Sequence, residues 1–278
     1  SFNMNNKNAK SINFFQVSSY VNKNNLDHAN ILKQSHDQNM LVGENKYLLK
    51  NFIAHFSKVV EIKSQIYQDV FASFIIDKYF DKTFLEFGAT DGINLSNSYV
   101  LEKNFGWNGS LSEPSPQWHN DLKNNRPNSK IITKCIWSKS GEVLDFFESD
   151  VKVLSTIDKY KESDKVSFPG NTIERVRSGK LVKVESISLN DVVYKFFNSV
   201  APSYISIDTE GSEYEILRFF NFKKFRPIVF TIEHNFTEIE NKIDSLMFKN
   251  DYVRIFKEFT AFDAWYISKE VNYNFSNN

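Results

Sequence analysis

The chain begins with a polar stretch and then changes its hydrophobic rhythm twice. Residues 1–25 are rich in Asn, Lys and Ser and read as a low-complexity start, although Phe14, Phe15 and Tyr20 interrupt it. From Lys46 to Phe56 the residues Tyr47, Leu48, Leu49, Phe52, Ile53 and Phe56 share one helical face. A second helix is predicted from Gln65 to Tyr79, with Ile66, Val70, Phe71, Phe74 and Ile75 on one side. From residue 83 short apolar runs alternate with amphipathic stretches. The predicted strands are Thr83–Phe87, Gly109–Glu113, Lys130–Trp137, Tyr204–Asp208, Ile228–Glu233, Tyr252–Phe256 and Ala264–Ser268. Helices are predicted at Asn94–Asn104, Pro116–Asn124, Leu189–Asn198, Ser212–Phe220 and Thr237–Asn250. This alternation predicts an α/β fold, a mainly parallel Rossmann-like sheet with helices on both faces. Residues 141–180 break the rhythm. After a hairpin strand at Glu142–Phe147 the segment turns polar, which reads as an insertion or lid. The expected organisation is an N-terminal extension over 1–60 and a catalytic domain over 61–278.

Composition narrows the function classes. The 34 basic and 34 acidic residues cancel, so no global charge favours nucleic acid or an anionic membrane. No apolar run reaches the ~20 residues that cross a bilayer. The polar N-terminus has no apolar signal region. One cysteine, Cys135, excludes an intramolecular disulfide and a cysteine-based zinc site. The expectation is a cytoplasmic protein.

Glycine is scarce, nine in 278 residues, yet Gly88, Gly92, Gly106 and Gly109 cluster together. Gly88 and Gly92 stand in Phe84-Leu-Glu-Phe-Gly-Ala-Thr-Asp-Gly92, a strand ending in a glycine turn before a helix. That arrangement brings backbone close to a nucleotide-like cofactor. It is neither the complete Gly-x-Gly-x-x-Gly dinucleotide fingerprint nor a phosphate loop ending in Gly-Lys-Ser/Thr. Glu113 ends the next strand, where a carboxylate can accept both hydroxyls of a ribose; its separation from the glycine loop favours that role over the alternative, capping the helix near Pro116. Glu86, ending the first strand, suits a cofactor that carries positive charge. S-adenosylmethionine is such a cofactor, with its ammonium and sulfonium.

Asp208 ends an apolar strand and is followed by Glu210, Glu213 and Glu215. Glu213 and Glu215 suit a helix N-terminus, with Ser212 as its cap. Asp208 and Glu210 are assigned to the site. His234, after the next strand, is a general-base candidate beside Asp208. The site requires no metal, though Asp208, Glu210, Glu233 and His234 could hold one divalent cation. Trp118 and Trp137 are expected to pack structurally.

Taken together, these motifs resemble the FkbM-type S-adenosylmethionine-dependent methyltransferases from about Ser64 onward. The matching stretches are Phe84–Gly92, Leu95–Tyr99, Leu101–Lys103 and Trp107–Pro114. They continue with Ser206–Glu213, Glu233–Asn235 and Asp263–Tyr266, and upstream with Ser64-Gln65 and Gln68-Asp69. The resemblance implies a seven-stranded methyltransferase sheet, six strands parallel and the last antiparallel. It implies a cofactor site formed by Gln65, Asp69, Glu86, Gly88, Ala89, Thr90, Gly92, Asn97, Glu113, Pro114 and Asp208. It further implies O-methylation of a small-molecule or glycan hydroxyl. Asp263-Ala264 replaces a more usual pair of acids, and residues 148–180 diverge. Two other readings stand beside this one: a nicotinamide-dependent oxidoreductase on a similar sheet, and a non-catalytic protein of the same fold. In either case the first 60 residues could support a homo-oligomer.

Overall fold

The computed structural model describes residues 46–272 apart from 60, 78–79, 150–154, 162, 164–166, 172–178 and 258–259. Residues 1–45, which carry the polar start, lie outside the described residues.

The chain enters through helix α1 (Lys46–His55) and helix α2 (Gln68–Ile76). Strand β1 (Thr83–Phe87), helix α3 (Tyr99–Phe105), strand β2 (Asn108–Ser112), helix α4 (His119–Asn125) and strand β3 (Lys130–Ile132) follow. Next come β4 (Cys135–Trp137), β5 (Val143–Glu148), β6 (Thr156–Ile157) and β7 (Lys180–Ser188). The last third holds helix α5 (Leu189–Phe196), β8 (Tyr204–Ile207), helix α6 (Glu213–Leu217), β9 (Val229–Glu233) and helix α7 (Ile239–Lys249). It ends with β10 (Tyr252–Ile255), β11 (Asp263–Ser268) and helix α8 (Lys269–Asn272).

Seven strands form one sheet in the order β10-β11-β9-β8-β1-β2-β3. Strands β3, β2, β1, β8 and β9 run parallel, while β11 is antiparallel to both β9 and β10. Strand β10 therefore points with the other five, so six strands share one direction and β11 alone opposes them. This is the sheet that the sequence resemblance implies. The chain builds outward from β1 to β3 and then returns to β8 on the other side of β1. That reversal opens a crevice between the carboxyl ends of β1 and β8, the place where open α/β sheets bind ligands.

Two apolar clusters cover the two faces of the sheet. One holds Leu85, Ile205, Phe230 and Tyr266 under α5 and α7. The other holds Phe84, Tyr204 and Trp265 under α1 and α2. Phe52 of α1 makes ring contacts with Phe71, Phe256 and Trp265 at 5.5–5.9 Å. The helical part of the expected N-terminal extension is therefore built into the main core.

Three expectations change. The run Lys130–Trp137 is two strands, β3 in the main sheet and β4 in a second sheet ordered β4-β7-β5-β6. The beginning of the presumed insertion supplies β5 to that sheet, and β5 pairs antiparallel with the nine-residue strand β7. The helix expected from Asn94 starts only at Tyr99, because side chains pin residues 93–98 as a loop. Asp91 accepts the amide hydrogens of Ile93 and Asn94, each at 2.9 Å, and Leu95 takes a left-handed backbone (φ 58°).

Candidate active site

A cavity of about 370 Å³ lies at the carboxyl ends of β1, β2, β8 and β9. Its wall includes Glu86, Gly88, Ala89, Thr90, Asn97, Glu113, Pro114, Asp208, Glu210 and Glu233, which sequence reasoning had placed at the site. Gln65 also reaches it.

The glycine turn shapes the floor. Gly88 adopts φ 66°, and a β-carbon there would meet the carbonyl oxygen of Asp208 at 2.5 Å. Gly92 adopts φ 78°, and its missing β-carbon makes room for Leu122 and Arg126. Both conformations are ones that only glycine adopts without strain.

Glu86 acts from beneath the cavity. Its Oε1 accepts the Asn97 amide hydrogen at 2.8 Å, and its Oε2 accepts the hydroxyls of Ser96, at 2.9 Å, and Ser98. Burial raises its pKa, while nearby Arg126 and these donors oppose the rise. Arg126 is wholly buried. It pairs with Glu102 and donates to the Gly92 carbonyl at 2.9 Å and to Ser98 Oγ at 3.0 Å. Glu86 and Arg126 thus clamp the 92–98 loop from two sides. The loop presents Asn97, whose Nδ2 donates to Ser206 Oγ at 2.9 Å. Asn97 Oδ1 is buried on the cavity wall and has no hydrogen-bond partner.

Glu113 ties the β1 and β2 turns together. Its two oxygens accept the amide hydrogens of Thr90 and Ser115, each at 2.8 Å. Burial lifts its pKa to about 7 against those two donors. A carboxylate offers about four lone-pair sites, so each oxygen retains one for a ligand. His119, which carried no expectation, reaches the Glu113 carbonyl at 2.6 Å.

At the far end Asp208, Glu210 and Glu233 converge. One carboxylate oxygen from each lies within 4.8 Å of the others. Burial raises the pKa of both Asp208 and Glu233, and the neighbouring charges of Asp208 and Glu210 raise that of Glu233 further. Glu213 plays the supporting role expected of it: its carboxylate accepts the amide hydrogens of Thr209 and Gly211 at 3.0–3.2 Å. Glu215 pairs with Arg218 at 2.8 Å. Ser212 does not cap the helix. Its hydroxyl donates to Thr209 Oγ1 at 2.7 Å, and the Glu213 carboxylate holds the turn instead.

Three expected site residues lie outside the cavity wall: Gly92, whose turn packs on Leu122 and Arg126, His234 and Asp69. His234 is buried against the α7–β10 side, with Phe236 N donating to its Nδ1 at 3.0 Å and Arg254 Nη2 at 3.3 Å from its Nε2. Burial, helped by Arg254, lowers its pKa to about 4. His234 also stands apart from the carboxylate cluster. Asp69 turns back to accept from Ser64 and from Val70 N at 2.7 Å. Its neighbour Gln68 lines the cavity instead and donates to Asp263 Oδ2 at 3.2 Å. Asp263 also lines it and accepts from Trp265 Nε1 at 3.1 Å, and burial pushes its pKa up to about 8. Cys135 borders the cavity as a buried thiol with its pKa pushed up to about 12. Trp118 and Trp137 do not line it. Phe168 lines the rim, its ring 6.1 Å from that of the exposed Phe236.

Sheet order, crevice and carboxylate-ended strands define a Rossmann-like methyltransferase. The profile of the methyltransferase FkbM domain matches residues 86–265, and the chain belongs to that family. Its cofactor is S-adenosylmethionine. No curated protein sequence matches the chain significantly. Among solved structures it is similar to an O-methyltransferase from Bacillus cereus in complex with SAH, at 10% identity. That alignment covers 91% of this chain and 96% of the other, with a TM-score of 0.41. A precorrin-6y C5,15-methyltransferase from Geobacter metallireducens GS-15 shows 12% identity over 74% and 88% of the chains, with a TM-score of 0.38. The human methyltransferase 10 domain containing protein shows 10% identity over 94% and 99%, with a TM-score of 0.34. Among the described residues no helix is long and apolar enough to cross a membrane.

Proposed function

We propose that the protein transfers a methyl group to a hydroxyl oxygen of a sugar, glycan or related small molecule. The observation that carries this reading is one continuous cavity with a ribose-type carboxylate, Glu113, at one end and the Asp208–Glu210–Glu233 cluster at the other. The residues fit the cofactor. A cavity of this size suits a nucleoside-sized ligand, Glu113 has lone pairs left for a ribose diol, and Asn97 Oδ1 is an unused acceptor suited to an ammonium group. S-adenosylmethionine, when bound, supplies an electrophilic methyl group on a sulfonium.

The chain's own residues have two tasks. The first is alignment, worth up to ~7–11 kcal/mol in favourable systems. Gly88, Asn97 and Glu113 hold the donor side, fixed by Glu86 and Arg126 behind them. The second is proton removal, typically worth ~10²–10⁴-fold. Asp208 is the base: it faces the cavity, whereas His234 is tied to Arg254 outside it. Phe168 and Phe236 at the rim form an apolar platform of the kind on which sugar faces stack. We place this activity in the cytoplasm and propose the N-terminal extension over residues 1–60 for any contact between copies of the chain.

Calorimetric titration tests the reading. S-adenosylhomocysteine should bind at one site per chain and NAD should not. Binding of NAD alone would return the oxidoreductase reading. Tight S-adenosylhomocysteine binding with no transfer to any hydroxyl acceptor would favour a non-catalytic protein of the same fold.

A further inference from the structure

Five carboxylates crowd the acceptor end of the cavity, and they fall into two groups. Glu213 is consumed by the backbone amides of Thr209 and Gly211, and Asp263 by Gln68 and Trp265. Asp208, Glu210 and Glu233 instead turn one oxygen each towards a common point, all within 4.8 Å of one another. Three carboxylates so close repel strongly at low dielectric unless protons or a cation neutralise them. Among the described residues neither Asp208 nor Glu233 is paired with a basic side chain. Glu233 supplies an independent sign. It is 9% exposed, and its Oε2 is buried with no hydrogen-bond partner. A buried carboxylate oxygen without a donor is costly.

We infer that Asp208, Glu210 and Glu233 form a binding site for one divalent cation. The all-oxygen, all-carboxylate donor set selects a hard ion of the Mg²⁺ or Mn²⁺ kind. The strands explain why the site assembles. Strands β8 and β9 are parallel neighbours with Ile207 opposite Ile232, so Asp208 and Glu233 leave the sheet side by side. The left-handed backbone of Glu210 (φ 56°) then turns the third carboxylate back towards them. Three protein ligands leave part of an octahedral shell open. On the hydroxyl-methylation reading, on which this extension rests, the open positions take two neighbouring oxygens of the acceptor. The substrate class is therefore a chelating one, a vicinal diol or hydroxy acid. The cation lowers the pKa of the hydroxyl it binds, and Asp208 keeps its second oxygen for the proton.

The test is Mn²⁺ binding to the full-length protein without acceptor, followed by loss of the free Mn²⁺ electron paramagnetic resonance signal. One Mn²⁺ should bind per chain and be displaced by Mg²⁺. Glu233→Gln and Asp208→Asn should each weaken binding by at least about tenfold, as expected when an ion loses a charged ligand. S-adenosylhomocysteine titration of Glu233→Gln checks that this variant is folded, and the affinity should stay within about twofold, a difference of roughly 0.4 kcal/mol; the thermal midpoint serves as the fold check for Asp208→Asn. Absence of Mn²⁺ binding by the wild type, or equal binding by both variants, would overturn the inference. Failure of S-adenosylhomocysteine to bind the wild type would instead overturn the donor assignment and leave the cation result standing.

Discussion

A β-carbon on Gly88 would stand 2.5 Å from the carbonyl oxygen of Asp208. The turn after β1 and the end of β8 therefore touch backbone to backbone, and that contact sets the width of the crevice. Gly88→Ala faces two penalties. The left-handed backbone costs a residue with a β-carbon roughly 1–2 kcal/mol, and the clash falls on backbone that cannot rotate away. We expect a thermal midpoint lower by about 4–8 °C. Calorimetry should also show weaker S-adenosylhomocysteine binding, because Gly88 and Asp208 both line the cavity. An unchanged midpoint would mean the two strands separate more easily than their contact implies.

Glu113 holds two loops and faces the cavity at once, so its replacement separates recognition from architecture. Glu113→Gln keeps the shape, but its amide nitrogen must face the Thr90 or the Ser115 amide, donor against donor. A charged hydrogen bond contributes about 1.5–3 kcal/mol. S-adenosylhomocysteine affinity should therefore fall by roughly 10–100-fold. Adenine, which has no ribose, should bind wild type and variant alike if the loops keep their positions. Loss of both ligands would make Glu113 a structural strut rather than a ribose holder.

The strand ends were legible in the sequence, and much of what supports them was not. After Thr83, the stretch Thr83–Phe87 is an apolar run interrupted only by the carboxylate Glu86 and closed by a glycine turn, so β1 and the residues after it could be read directly. The carboxylates Glu113, Asp208 and Glu233 follow similar runs, and all three reach the cavity. Lys180–Ser188 was hidden because Lys180, Lys183 and Glu185 break its apolar pattern, and it pairs between β4 and β5 in the second sheet. Arg126 gave no signal either. It lies in the polar stretch Asn124-Asn125-Arg126-Pro127, and its partners Ser96, Ser98 and Glu102 are 24–30 residues away. Gln68 and Asp69 are neighbours on one helix, and only the packing of α2 decides which of them faces the cavity.

Arg126 is the buried cation of the donor side, and its removal should be felt in stability first. Taking one partner from a buried pair costs about 3–5 kcal/mol, because the other charge is left uncompensated. Arg126→Met should lose stability of that order in urea denaturation. The double variant with Glu102→Leu should recover part of the loss, since no unpaired Glu102 then remains. No recovery would mean that Arg126 acts chiefly through Gly92, Ser96 and Ser98.

His234 provides a contrast with Asp208. Its ring is buried beside Arg254 and its pKa is lowered to about 4. His234→Gln should keep S-adenosylhomocysteine affinity and most of the transfer rate, whereas Asp208→Asn should lose transfer by ~10²–10⁴-fold as a positioned base would. Equal losses in the two variants would return His234 to the proton-transfer step.

Asp69 makes a pH prediction away from the chemistry. Burial lifts its pKa to about 6, against donation from Ser64 and Val70, and its Oδ2 has no hydrogen-bond partner. In the unfolded chain the group titrates near ~3.9. The folded state therefore holds the proton more tightly, and Asp69 favours folding most when both states are protonated, below pH ~4. That contribution falls as pH rises from ~4 to 6 and is lost above the folded pKa. The two units separating the values correspond to roughly 3 kcal/mol. Asp69→Asn keeps an oxygen for Ser64 and Val70 and removes the charge. Urea denaturation of both proteins from pH 4 to 8 should show wild-type stability falling relative to the variant up to about pH 6 and running parallel above it. A constant difference across that range would mean that Asp69 is already ionised at pH 4 in the folded protein, with solvent reaching its Oδ2.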